Sequence, residues 1–107
     1  MPIIRIDYDN EQITWDEIVK LSQSIKIIVS ENTGIEDVFV YANSSEIKIN
    51  IAPIEIFVEM SANKIDDEDQ LISSFKWWLF QWKKANDFDH PINLTLIPMK
   101  RKIELNI

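Results

Sequence analysis

Few side chains in this chain are suited to covalent or acid–base chemistry. The 107 residues include no cysteine and one histidine, His90. That excludes disulfides, thiolate nucleophiles and sulfur-ligated metals, and it argues against a histidine-based zinc site. His90 precedes Pro91 in DFDHPI, with no serine or second histidine in a triad-like arrangement, and reads as a surface loop histidine. Asp66, Asp67, Glu68 and Asp69 form a run without the glycine-bearing loop of a calcium site. Consecutive carboxylates at a helix start diverge around the axis, so this run reads as capping, and no metal is expected. Glu55 and Glu59 fall on one side of a strand opposite Ile54, Ile56 and Val58, the pattern of a solvated or salt-bridged face. The remaining candidate is Pro2 in the opening MPII. Behind Met1 its nitrogen is an inert tertiary amide. With Met1 removed it is a secondary amine, which desolvation would bring below the ordinary α-amino value of roughly 8 and make a general base near neutral pH.

The elements that must position these groups alternate regularly. Ile4, Ile6 and Tyr8 share one face of a first strand and Arg5 and Asp7 the other. In ITWDEI, Thr14 caps a helix, Glu17 bonds back to the cap, and Ile13 staples onto Ile18. Trp15, Ile18, Leu21, Ile25 and Ile28 follow at helical spacing up to Gly34, the chain's one glycine and its natural left-handed stop. Residues 36–42 and 46–51 read as a hairpin across the turn Asn43, Ser44, Ser45, and PIEIFVEM (53–60) reads as another strand. A second helix is framed by the acids at 66–69 and by Lys83 and Lys84, as the macrodipole prefers. Its stripe Leu71, Phe75, Trp78, Leu79 and Trp82 reads as core, with Trp77 and Phe80 on a second face. Residues 92–97 and 102–107 close the chain as two strands broken at Pro98.

Pro2 and Pro53 each open a strand followed by a capped helix and another strand, so the chain reads as a pseudo-repeat, 2–52 and 53–107, of two β-α-β units in one domain. The expected architecture is α+β: a mixed four-stranded sheet with two helices on one face, plus a hairpin strand and a C-terminal strand. Two helices cover one face only, and Ile3, Ile49, Ile56 and Val58 then predict an apolar face buried against another subunit. The net charge of −7, from 11 basic and 18 acidic residues, argues against nucleic acid and membrane partners. With no spanning segment and no signal-like start, a cytoplasmic protein is expected.

The start MPII, the second strand-opening PIEIFVEM and the return strand INLTLIPM together resemble the tautomerase superfamily, whose fold is shared with macrophage migration inhibitory factor. FVEM and LIPMKR look most like an uncharacterised bacterial branch known as a domain of unknown function. The resemblance implies a trimer, with sheets around a central axis and helices outside, and a cofactor-independent keto–enol isomerase acting on a small carbonyl compound. In this sequence it implies Pro2 as general base once Met1 is removed. Arg101, Lys64, Lys100 and Tyr41 are the candidate substrate-binding residues, with Lys48 and Lys102 as further cations. Where some members carry a substrate-binding arginine, the stretch from Asp7 to Glu17 has Asp7, Asp9, Glu11, Asp16 and Glu17 and no cation. Two alternatives stand beside this reading: a catalytically silent assembly protein of the same fold, and a ferredoxin-like interaction module with the same element order.

Overall fold

A computed structural model describes residues 1–100 and 104–107. Strand β1 (Ile3–Tyr8) leads into helix α1 (Trp15–Thr33) and then β2 (Phe39–Asn43). Strand β3 (Ile54–Ser61), a 3₁₀ turn at Ala62–Lys64, helix α2 (Glu68–Ala85) and β4 (Asn93–Met99) follow. The sheet order is β2-β1-β3-β4. β1 and β2 are parallel, β3 and β4 are parallel, and β1 meets β3 antiparallel at the centre. Each β-α-β unit is therefore unsplit. A ferredoxin-like sheet interleaves the strands of its two units, so this adjacency rules that alternative out.

Local chemistry explains the helix boundaries. Thr14 Oγ1 accepts from the Glu17 N–H at 3.2 Å while Glu17 Oε1 accepts from the Thr14 N–H at 2.9 Å, a complete capping box. Gly34 closes α1 at φ +71°, donating its N–H to the Ser30 carbonyl at 2.8 Å. Asp67 caps α2 by accepting from the Gln70 N–H at 3.1 Å, and Lys83 and Lys84 sit in its last turn.

Strand alternation builds the core. Ile4 and Ile6 of β1 and Ile54, Ile56 and Val58 of β3 are fully buried against Ile18, Leu21, Ile25 and Val29 of α1 and Phe75 and Leu79 of α2. Each such side chain contributes roughly 1.5–3 kcal/mol of burial, which fixes which sheet face meets the helices. Ile56 and Val58 thus belong to the helix side, not to the bare face expected to carry them. The helix-free face instead carries Ile3, Arg5 and Asp7 of β1, Phe39 and Tyr41 of β2, Glu55, Phe57 and Glu59 of β3, and Thr95 and Ile97 of β4.

Several local expectations are corrected. Residues 46–51 form no strand, so there is no hairpin. Asn50 takes a left-handed φ of 56°, which interrupts an extended run, and the segment is drawn across the end of β1 by polar ties to Asp9 and Asn10. Pro98 lies inside β4, opposite Met60, rather than ending the strand. β4 is an edge strand, and a missing N–H is tolerated on the unpaired side. Of the expected strand at 102–107, residues 104–107 are not in a strand, and 102 and 103 lie outside the described residues. Trp15 is 74% and Trp78 49% exposed, so neither is core. Trp15 is the first residue of α1, directly after the Thr14 cap.

Candidate functional site

Pro2 is fully buried just before β1, and its carbonyl accepts the Phe39 N–H at 3.1 Å, which ties the start of β2 to the chain's opening residues. Beside it run the last residues of β3, since Ile3 pairs with Glu59. The turn bearing Lys64 follows β3 and Lys100 follows β4, so Pro2, Lys64 and Lys100 occupy the same end of the sheet. Lys64 lines a cleft of about 280 Å³ between the end of α1 and the start of α2, shared with Asn32, Asp66, Asp67 and Gln70. Tyr41 lies elsewhere: it is exposed on the helix-free face of β2, opposite Arg5. Arg101 and Lys102 lie outside the described residues.

The acidic stretch is at the other end of β1, about 20 Å away for a six-residue strand. There Asp9 acts as a hub. Its carboxylate accepts from the Gln12 amide at 2.7 Å and the Glu11 N–H at 3.0 Å, and pairs with Lys48 Nζ at 3.2 Å. These donors, the Gln12 amide foremost and the Glu11 N–H next, hold the Asp9 carboxyl below its ordinary value. Lys48 also donates to Asn10 Oδ1, so this cation is engaged in fastening the 44–53 segment and is not a free carboxylate holder. The Glu17 carboxyl is likewise held low, first by the Thr14 backbone N–H and then by His90, whose Nε2 stands 2.6 Å from Glu17 Oε2. His90 is thus half-buried against α1 rather than a free surface loop residue. Lys83 donates to the His90 carbonyl at 2.7 Å and the Phe88 ring packs edge-on to the imidazole at 5.1 Å.

Arg5 is the residue that sequence reading missed. Its guanidinium lies 4.6 Å from the centre of the Phe57 ring, with Asp7 and Glu59 each 3.6 Å away, in the middle of the helix-free face. Its place opposite Ile4 and Ile6 in β1 marked it as facing away from the core; only the cross-strand register brings Phe57 under it. Among the described residues no group of three or more His, Cys, Asp or Glu is placed to hold a metal ion, and no helix is long and apolar enough to cross a membrane.

Two unsplit β-α-β units paired antiparallel through their first strands, with both helices on one face, recur in solved structures. A domain of unknown function, DUF1904, from Sebaldella termitidis superposes with a TM-score of 0.69 at 11% identity, covering 100% of this chain and 98% of that one. A fused 4-OT symmetric trimer gives 0.66 at 12% identity, covering 91% and 85%. Pt0534 inactivated by 2-oxo-3-pentynoate gives 0.58 at 10% identity, covering 92% and 84%. This chain has the tautomerase fold. No protein-family model and no curated protein sequence matches it. In this fold Pro2 stands at the head of β1, and the helix-free face is the surface left uncovered by the protein's own helices.

Proposed function

We propose that the protein is a trimeric keto–enol tautomerase in which Pro2, exposed as the terminal amine by removal of Met1, is the general base. The observation that carries this reading is the position of Pro2: fully buried, beside the end of β3, at the sheet end that also carries Lys64 and Lys100. An amine there is poorly hydrated, which favours its neutral form at neutral pH. Its lone pair takes a proton from the carbon next to a carbonyl, the C–H electrons become the new C=C bond, and the carbonyl pair moves onto oxygen. The prolinium returns the proton to that oxygen, so the reaction needs no other reactant. Lys100, and Arg101 next to it in sequence, are the groups proposed to hold a substrate carboxylate, since the Lys64 cleft already contains Asp66 and Asp67. The acids of 7–17 sit at the opposite end and leave that attraction intact.

Support for the trimer comes from the helix-free face, where Ile3 faces Phe39, Phe57 lies in the neighbouring row opposite Arg5 and Ile97 sits at the β4 edge beside Glu59, and from the trimeric state of the fused 4-OT neighbour. A protein of this fold that assembles through that face without catalysis is the second reading. Ketonisation of a phenylenolpyruvate-type substrate separates the two. The chain beginning at Pro2 should catalyse it, and Pro2→Ala in the same processed form should not. Activity that survives Pro2→Ala assigns the proton transfer to another group. Inactivity of the processed wild-type chain leaves the assembly reading.

A further inference from the structure

The outer surface of α2 is used neither by the core nor by the helix-free sheet face. Phe75 and Leu79 are buried inward, while Trp77 and Phe80 are 54% and 52% exposed. These rings are arranged by their neighbours: Lys84 Nζ lies 4.8 Å from the Phe80 ring centre, and Trp77 meets Trp78 edge-to-face at 4.7 Å. Along the outward stripe the order is Asp69, Ser73, Trp77, Phe80, Lys84, spaced three or four residues apart. The helix is also charge-polarised, with acids confined to Asp66–Asp69 and Lys76, Lys83 and Lys84 as its later charges.

That order is self-complementary when reversed. Turned end for end about a point between Lys76 and Trp77, Asp69 comes opposite Lys84 of a second copy, Phe80 opposite the small Ser73, and the Trp77 rings meet at the centre. The two helix dipoles then run antiparallel. The Asp69–Lys84 span of about 22 Å gives the contact two charged ends and an aromatic middle. An anionic membrane surface fits poorly, because the acidic end and the net charge of −7 are repelled by it. A purely acidic partner meets the same repulsion at Asp66–Asp69.

We propose that α2 docks antiparallel on α2 of a second copy, through Trp77, Phe80 and Ser73 with Asp69–Lys84 pairs at both ends. This is an isologous two-fold contact, independent of the sheet-face assembly because it lies on the opposite side of the protomer. It at least doubles whatever assembly the sheet face makes, because a trimer presents three outward α2 helices. Sedimentation of the full chain at low salt, over a series reaching high micromolar concentration, tests it. Wild type is expected to reach at least twice the mass of Trp77→Glu, whose helix content by circular dichroism should match wild type. Asp69→Lys and Lys84→Glu alone should each abolish the doubling, and the two together should restore it, because the swapped charges pair again between copies. Equal masses for wild type and Trp77→Glu at every concentration overturn the proposal. So does a double charge swap that stays as dissociated as the single variants, or Trp77-dependent binding to phosphatidylserine vesicles without any doubling. A failed trimer changes the base mass, and the gain of wild type over Trp77→Glu still reads this contact.

Discussion

Replacing Gly34 by alanine isolates a single backbone term. Gly34 sits at φ +71°, and a Cβ built on it meets no atom within 4 Å, so no side-chain clash contributes. An L-residue held in the left-handed region costs roughly 1–2 kcal/mol. Alanine also restricts the unfolded chain, which offsets about 0.4–1 kcal/mol. The net expectation is a loss of about 1 kcal/mol, or a fall in Tm of about 4–8 °C for a domain near this size. Gly34→Asn should lose about half as much, because asparagine tolerates this conformation better. Urea unfolding at one fixed chain concentration, with unchanged m, is the assay. A neutral or stabilising alanine would refute the left-handed stop. A loss well beyond about 3 kcal/mol would refute the open space around it. The turn matters to the site because it sends the chain back so that β2 runs beside β1 and Phe39 reaches the Pro2 carbonyl at 3.1 Å.

Thr14→Ala removes the cap of α1 and should cost about 1 kcal/mol by urea denaturation. Asp9 and Glu17 have carboxyl pKa values lowered from 3.8 and 4.5 by the donors around them. Their contribution to stability is therefore complete above those ordinary values and is lost as pH falls through the lower folded ones. Urea midpoints measured from pH 6 down to about 3 should fall less steeply in Glu17→Gln than in wild type. Asp9→Asn should release the 44–53 segment, seen as faster amide exchange and proteolysis there while β1 and β3 stay protected; uniform loosening would contradict its local role. Ile97→Glu places a second carboxylate beside Glu59 on the helix-free face and should reduce the sheet-face assembly to monomer units by light scattering, without loss of helix content.

The fold was legible where pattern and local chemistry coincide. The alternation of Ile4 and Ile6, the Thr14–Glu17 capping box, the Gly34 stop and the acidic start of α2 each fix an element from neighbouring residues alone. Where tertiary contacts decide, the sequence misled. EIKINI alternates like a strand, yet Lys48 is held by Asp9 and Asn10, and Asn50 turns left-handed, so the segment becomes a strap. Trp78 has helical spacing for the core but stands 49% exposed, edge-to-face with Trp77. Lys48 looked like a free cation because nothing local shows the 39-residue separation from Asp9 closing to 3.2 Å. Of the site, Pro2 was visible as a letter. Its burial, its shared sheet end with Lys64 and Lys100, and its distance from the acids at 7–17 came only from the register of four strands.

In the proposed mechanism the Pro2 nitrogen, freed of Met1, is a neutral nucleophilic base in a desolvated site. Intact-mass and peptide mapping after exposure to 2-oxo-3-pentynoate test it most directly, since a neutral secondary amine attacks such an electrophilic 2-oxo acid. One adduct per chain, mapped to Pro2, is expected in protein beginning at Pro2, and none in protein that keeps Met1. Equal labelling of both forms, or an adduct mapped to a lysine instead, would contradict it.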